Sequence, residues 1–209
     1  MQSTATTQDV RSSMVGVVIA GGRSVRFGGE KAVATLQGRS LLMWAVARLA
    51  RACGKVAVNA RPETGAERLA RSEGLPVLHD AAGDPDGPLS GVKAGLWWAR
   101  EQGATHLAVS PCDVPLAPDD LYLELRSAAG AGAAHAETAE GRQPMCAVWP
   151  VSALPVLVEA LANGAHPPTW RMLEQIGAVK VSFPDAESFA NLNTREDLER
   201  FEAQLGKPE

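Results

Sequence analysis

The chain has 209 residues, 45% of them hydrophobic, so it can bury one substantial core and we expect a single domain. Its 20 basic and 24 acidic residues give a net charge of -4 with no block of like charge, which argues against a nucleic-acid partner. It also lacks a signal-peptide pattern and any apolar run of about 18 residues, the length that a membrane span needs. We therefore expect a cytoplasmic protein without a membrane partner.

The cysteines and histidines do not follow a metal-binding pattern. Cys53, Cys112 and Cys146 are scattered without Cys-x-x-Cys spacing, and the four histidines show no His-x-x-x-His spacing. We predict that the cysteines are reduced core residues, with neither a disulfide framework nor a zinc site.

The first half of the chain predicts strands that alternate with helices. Residues 1–13 are polar and aperiodic, which predicts a disordered tail. The apolar run that follows ends in Gly21-Gly22, as a buried parallel strand before a tight loop does. Ser40 is a suitable N-cap for the first helix, and Gly54 stands where a C-terminal cap would be. Further strands are predicted over 55–59, 76–79 and 105–110, and further helices over 63–73 and 89–102.

The second half is less regular. A helix is predicted after Pro118, the Ala/Gly-rich residues 128–134 look unstructured, and the remaining predictions are a strand over 144–149, a helix over 151–163, a helix around Trp170, a strand over 179–183 and a helix over 195–205. Thr194 and Asp197 form a near capping box for the last helix. The alternation predicts one Rossmann-like α/β domain over 14–205, with three α/β/α layers and a mainly parallel twisted sheet.

A glycine-rich loop, residues 20–31, follows the first strand and ends on a lysine. Its glycines allow the backbone to approach phosphate oxygens, while Arg26 and Lys31 can neutralise a triphosphate. The loop is neither a Walker A sequence nor a Gly-x-Gly-x-x-Gly fingerprint. The alternative is a solvated glycine loop that happens to carry basic residues.

Two further strand ends carry polar residues. Asn59 ends one predicted strand and Asp80 follows the next, before the turn Gly87-Pro88 that opens a helix. A helix N-terminus at a strand end can bind a base or a phosphate. Asn59 alone is equally typical of an ordinary turn, and the glycine turn could be a plain helix start.

Asp113 follows the apolar strand that begins near His106. A carboxylate at this position is well placed to hold Mg²⁺, which prefers oxygen ligands and commonly bridges one or two carboxylates to substrate phosphates. The alternative is a carboxylate that caps the turn into Pro115.

Together these segments resemble the molybdenum cofactor guanylyltransferases, the MobA family. The resemblance spans about residues 15–201 and rests on segments in the family's order: 19–31 (IAGGRSVRFGGEK), 58–60 (VNA), Asp80, 87–91 (GPLSG), 111–115 (PCDVP) and 191–198 (NLNTREDL). The first segment alone indicates the wider nucleotidyltransferase superfamily, and the Val-x-Asn and Asn-x-Asn-Thr segments narrow it. Phe27, Glu30 and Arg195 depart from the family's usual Met, Asp and Pro.

The resemblance implies transfer of GMP from GTP to molybdopterin, loaded with molybdenum or not, with Mg²⁺ as cofactor and pyrophosphate as product. It implies that Arg26 and Lys31 meet the phosphates and that Asp113 holds Mg²⁺. Nucleotide and pterin binding would involve backbone and side chains of Ile19, Ala20, Gly21, Gly22, Lys31, Asn59, Asp80, Gly87, Pro88, Leu89, Asn191 and Asn193. The N-terminal half would bind GTP and Mg²⁺, and the C-terminal half, which includes Trp170 and Arg171, would bind molybdopterin.

Two alternatives remain open at this point. One is a cytidylyltransferase that acts on molybdopterin or on a sugar or polyol phosphate, because these enzymes share the glycine-rich loop. The other is a non-catalytic nucleotide- or cofactor-binding factor for molybdoenzyme maturation. We expect a monomer, and the resemblance leaves molybdoenzymes or other cofactor-maturation proteins as protein partners.

Overall fold

The computed structural model describes residues 13–22 and 27–206. A seven-stranded sheet runs through them in the order β5-β4-β1-β6-β8-β7-β9, and β2 and β3 form a separate antiparallel ribbon. The strands are β1 Met14–Ile19, β2 Thr35–Leu36, β3 Arg39–Ser40, β4 Val56–Asn59, β5 Val77–Leu78, β6 His106–Pro111, β7 Ala134–Thr138, β8 Gly141–Pro150 and β9 Val179–Ser182. Within the large sheet β8 runs antiparallel to both neighbours and the other pairs are parallel, which confirms the mainly parallel sheet.

Helices cover both faces of this sheet. They are α1 Leu41–Ala52, α2 Gly65–Ser72, α3 Pro88–Glu101, α4 Leu121–Ala129, α5 Leu154–Ala160, α6 Thr169–Gln175 and α7 Arg195–Leu205. One apolar core, with Leu49 and Leu125, lies under α1 and α4, and a second core, with Leu96 and Leu157, lies under α3 and α5. The predicted three-layer α/β/α architecture is therefore confirmed.

Local sequence signals account for two of the helix starts. Ser40 caps α1 by accepting a hydrogen bond from Met43 N at 3.2 Å. Thr194 and Asp197 form a complete capping box, and α7 covers the predicted residues 195–205. A third, smaller apolar cluster joins α7 to the β2–β3 ribbon through Leu36, Leu41 and Phe201. This cluster holds the C-terminal segment against the N-terminal half of the fold.

The second half departs from the sequence prediction in two places. Residues 130–133 lie outside helices and strands, as expected for the stretch 128–134, but α4 extends to Ala129, and β7, which the sequence did not predict, starts at Ala134. Alanine and glutamate are weak strand formers, but β7 pairs with β8 on one side and β9 on the other. The helix predicted over 151–163 is interrupted: 3₁₀ turns at Val151–Ala153 and Ala162–Gly164 flank α5.

Two further expectations concern the N-terminal tail and membrane-spanning helices. Apart from Ser13, the predicted tail over 1–13 lies outside the described residues. None of the helices among the described residues combines the length and the apolar character needed to cross a membrane.

The strand register brings the ends of four strands into one row. Ile19 pairs with Asn59 on one side and with Pro111 on the other, and Asn59 pairs in turn with Leu78. The loops that leave β1, β4, β5 and β6 therefore start at the same edge of the sheet. This edge is where parallel α/β sheets bind ligands.

Candidate active site

A cavity of about 620 Å³ opens at this carboxyl edge. Its walls come from the loops after β1, β4, β5 and β6, from the start of α3, and from two residues of the C-terminal half. The lining residues are Ile19, Ala20, Gly21, Gly22, Lys31, Ala32, Asn59, Arg61, Asp80, Asp86, Gly87, Pro88, Pro111, Cys112, Asp113, Met145 and Asn193. Most of the residues that the sequence singled out are thus brought together in one cavity.

Lys31, Asp113 and Asn193 form the polar centre of the cavity. Lys31 Nζ donates to Asp113 Oδ2 at 2.8 Å and to Asn193 Oδ1 at 3.1 Å. The lysine and aspartate side chains are 12% and 23% exposed, so their ion pair is only partly shielded from water. Leu192 N donates to the Asp113 carbonyl at 2.8 Å, which ties the segment before α7 to the loop after β6.

Asn59 and Asp80 form a second polar pair in the cavity. The Asn59 amide donates to Asp80 Oδ1 at 2.9 Å and to the Leu78 carbonyl at 3.3 Å, and the Asn59 side chain is buried. The Asn59 backbone carbonyl accepts from Ala20 N at 2.9 Å, so the β1 loop is anchored to the same residue. Asn59 therefore joins three loops of the cavity wall, which is more than an isolated turn residue does.

Gly87 starts α3 in a backbone conformation that suits glycine, with φ +150°. A Cβ at this position would overlap the imidazole of His166, which lies against the turn. Pro88 follows in the first helical turn and also lines the cavity. The glycine thus permits the close approach of His166 to the turn, and the start of α3 forms part of the cavity wall.

Two predicted site residues are not brought to the cavity. Leu89 is fully buried in the core between α3 and the sheet, and Asn191 is exposed outside the cavity wall. Arg26 lies outside the described residues. Trp170 is also outside the wall; its ring is half exposed beneath the guanidinium groups of Arg142 at 5.2 Å and Arg171 at 5.9 Å.

Arg61, Asp86 and Met145 also line the cavity, although they were not identified from the sequence. Arg61 Nε donates to the Gly21 carbonyl at 2.9 Å and its Nη2 to Asp86 Oδ1 at 3.0 Å. It therefore bridges the glycine-rich loop and the turn before α3. Its place two residues after the strand end at Asn59 was the one signal that could have identified it.

Glu30, which replaces the family's usual aspartate, bonds to α2 and does not line the cavity. Its Oε2 accepts from Ala66 N at 3.1 Å, in the first turn of α2. A carboxylate at a helix N-terminus is favourable because the unpaired N–H groups there carry partial positive charge. This substitution therefore supports the fold and leaves Lys31 in place.

Burial keeps the cysteines near the site protonated. It raises the pKa of Cys112 to about 12 and that of Cys146 to about 12, with the nearby Asp113 carboxylate as a further cause in both. All three cysteines are buried, as the sequence predicted. Neither Cys112 nor Cys146 is therefore available as a thiolate nucleophile at neutral pH.

The donor set fits a magnesium ion shared with a substrate. Within residues 13–22 and 27–206, Asp, Glu, His and Cys side chains form no group of three or more that could hold a metal alone. Mg²⁺ does not require such a cage, because it keeps several waters and binds through one or two carboxylates together with substrate phosphates. Asp113, beside Lys31 in the cavity, is the carboxylate suited to this arrangement.

The comparisons with known proteins agree with this geometry. Residues 16–179 match the MobA-like NTP transferase domain. The chain is 41% identical over 196 residues to a molybdenum cofactor guanylyltransferase of Cereibacter sphaeroides, covering 93% of this chain and 98% of the relative. It is 38% identical over 197 residues to a protein of the same name from Acidiphilium cryptum, covering 92% and 95%.

A solved structure shows the same fold. The molybdopterin-guanine dinucleotide biosynthesis protein A of Archaeoglobus fulgidus superposes with a TM-score of 0.73 at 24% identity, covering 93% of this chain and 100% of that one. At this level of identity the likeness supports the fold alone. The family match and the curated relatives show more than the fold. They show that the chain belongs to the MobA-like NTP transferase family.

Proposed function

We propose that this protein is a molybdenum cofactor guanylyltransferase, which transfers GMP from GTP to molybdopterin and releases pyrophosphate. The observation that carries the proposal is the cavity in which Lys31, Asp113 and Asn193 meet Asn59 and Asp80. The names of relatives that cover nearly the whole chain support the choice of substrates.

The reaction requires no protein nucleophile. A bond forms between a terminal phosphate oxygen of molybdopterin and the α-phosphorus of GTP, while the bond from that phosphorus to the α–β bridging oxygen breaks. Pyrophosphate leaves with the electron pair. Since the attacking oxygen is already an anion at neutral pH, the protein acts mainly by placing the reactants and by neutralising charge.

Different residues of the cavity place the reactants and neutralise their charge. Lys31 neutralises phosphate charge, and Arg26 adds a second cation from the glycine-rich loop. Asp113 would hold Mg²⁺, which would supply Lewis-acid neutralisation of the triphosphate. The β1 loop from Ile19 to Gly22, together with Asn59 and Asp80, binds the guanosine part, and Gly87 and Pro88 shape the same wall.

The C-terminal half provides the molybdopterin side. Asn193 and Met145 both line the cavity from that half, and Asn193 accepts a hydrogen bond from Lys31. This contact supports an acceptor phosphate bound next to the same lysine that would meet the nucleotide. The three buried cysteines suit a reducing compartment, in keeping with the proposed cytoplasmic enzyme.

The test is pyrophosphate release by purified protein with Mg²⁺ and molybdopterin, with GTP, CTP and ATP compared side by side. Release with GTP alone, dependent on molybdopterin, is the expected result. Release with CTP would make the protein a cytidylyltransferase instead. No release with any of the three nucleotides would replace the enzyme with a binding factor for cofactor maturation.

A further inference from the structure

Arg48 is a buried charge that no sequence motif includes. It lies on α1 and is only 4% exposed. Its Nε donates to the Ala117 carbonyl at 2.8 Å, its Nη1 to the Val114 carbonyl at 3.2 Å, and its Nη2 to the Pro115 carbonyl. One guanidinium thus holds three carbonyls of a single loop.

That loop is the continuation of Asp113. The Asp113 carbonyl is held by Leu192 N and its carboxylate by Lys31, so contacts on two sides set its position. Arg48 supplies the third constraint, because it holds the backbone immediately after the aspartate. Without the guanidinium, the inward-facing carbonyls of Pro115 and Ala117 would lose these donors inside the protein, and the loop would rearrange to recover them.

The shape of the side chain explains why arginine is used here. A guanidinium presents five N–H donors in a planar fork, whereas a lysine ammonium is a single point with three donors. The three carbonyls come from residues 114, 115 and 117, and they are reached by three different nitrogens of Arg48. A lysine would keep the charge but could not reach all three carbonyls in the same geometry.

We propose that Arg48 is a positioning residue, which fixes the loop after Asp113 and thereby orients the Asp113 carboxylate for the metal ion and the substrate phosphates. This inference rests on the proposed function, because it assigns Arg48 a part in that reaction. A purely structural Arg48 would affect stability without changing how the folded protein binds a divalent cation.

The test compares Arg48→Met and Arg48→Lys with Arg51→Met. Arg51 is the matched control: it lies one turn further along α1, is 57% exposed and pairs with Asp119 at 3.4 Å. Binding of Mn²⁺ to the folded protein with GTP is measured by electron paramagnetic resonance. For Arg48→Met we expect Mn²⁺ binding weakened about 10- to 100-fold, the usual effect of losing a residue that orients a ligand. Arg48→Lys should restore part of it, and Arg51→Met should match the wild type.

Kinetics give a second measurement. The Mg²⁺ concentration for half-maximal pyrophosphate release should rise in Arg48→Met and kcat should fall, while the KM for GTP at saturating Mg²⁺ changes little. If Arg48→Met folds and both its Mn²⁺ affinity and its kcat equal those of the wild type, the proposal is overturned.

If Arg48→Met does not fold, Arg48→Lys decides the question. Its loop should show faster hydrogen exchange at the Leu116 and Ala117 amides together with weaker Mn²⁺ binding; unchanged exchange and unchanged binding would overturn the inference. A wild-type protein that binds Mn²⁺ and GTP but releases no pyrophosphate would instead overturn the proposed function, and the Mn²⁺ comparison would still decide the role of Arg48.

Discussion

At the scale of single residues, Lys31 links parts of the chain that are far apart in sequence. It contacts Asp113, 82 residues away, and Asn193, 162 residues away. Its ammonium therefore lies between the loop after β6 and the segment before α7, where the nucleotide and the acceptor phosphate would meet. We propose on this basis that the lysine contacts both substrates in the reaction.

Replacing Lys31 by methionine should lower kcat by two to three orders of magnitude, because one preorganised charge at a transition state is worth about 3 kcal/mol. The measurement is steady-state pyrophosphate release with GTP and molybdopterin. Lys55→Met, which removes an exposed lysine that bonds to Gln102, is the control and should keep wild-type kinetics. If kcat is unchanged and only the KM for GTP rises, Lys31 binds substrate without stabilising the transition state.

Asp113→Asn should abolish turnover at every Mg²⁺ concentration while the protein stays folded. The amide keeps the shape of the side chain but loses the negative charge that would hold the ion. Asp119→Asn, an exposed carboxylate beyond the same loop, is the control. Circular dichroism checks the fold, and normal turnover of Asp113→Asn at saturating Mg²⁺ would remove the metal-ligand role.

At the scale of secondary-structure elements, the site depends on how closely α3 approaches the end of β4. Gly91, in the first turns of α3, packs on Asn59 so tightly that an added Cβ would overlap its amide. The same Cβ would lie 2.9 Å from Ile19 Cδ1. The glycine thus permits the contact between helix and strand that forms this wall of the cavity.

Gly91→Ala should weaken GTP binding at least tenfold, because Asn59 must move away from Asp80. Alanine favours the helix itself by about 1 kcal/mol relative to glycine, so poor helix formation cannot explain such a loss. Isothermal titration calorimetry with GTP measures it. Gly95→Ala is the control one turn on, where the Cβ would press on Leu107 in the core; it should lower stability and leave GTP affinity intact. Equal GTP affinity for Gly91→Ala and wild type would contradict the prediction.

At the scale of the whole molecule, His106 makes stability depend on pH. It lies at the start of β6, at the edge of the sheet opposite the cavity, and is 3% exposed. Burial, together with the nearby Arg126 charge, lowers the pKa of His106 to about 4 from its ordinary 6.5. The folded protein therefore holds this imidazole in its neutral form over a range in which the unfolded chain protonates it.

Between pH 6.5 and 4 the unfolded chain binds one proton more at His106 than the folded chain does, so stability falls as the pH falls through this window. The contribution is fully present above pH 6.5, and its loss by pH 4 is on the order of 3 kcal/mol. Urea unfolding at several pH values measures it. In His106→Asn, the dependence of the unfolding free energy on pH should fall by the equivalent of about one bound proton. Gln102→Ala, which removes a non-titrating surface amide, should leave that dependence unchanged. An unchanged slope in His106→Asn would contradict this source of acid sensitivity.

Much of the fold could be predicted from local sequence. Apolar runs that end in glycine or a polar residue identified β1, β4 and β6, and caps at Ser40 and Thr194 identified the starts of α1 and α7. These signals are local because backbone geometry and side-chain capping involve residues three or four positions apart. The Ala134–Thr138 strand has no such signal, since it is stabilised by pairing on both edges with strands distant from it in sequence.

The candidate site, like the fold, could be predicted only in part from the sequence. The sequence by itself determined which chemical groups stand at the strand ends, including Lys31, Asn59, Asp80 and Asp113, because parallel strands end at one edge of a sheet. Only the tertiary structure decided that Asn193 meets Lys31, that Arg61 bridges two walls, and that Arg48 holds the loop after Asp113. Those contacts join residues 25 to 162 positions apart, so they arise from the packing of α1, α3 and α7 around the sheet and leave no periodic or capping pattern in the sequence.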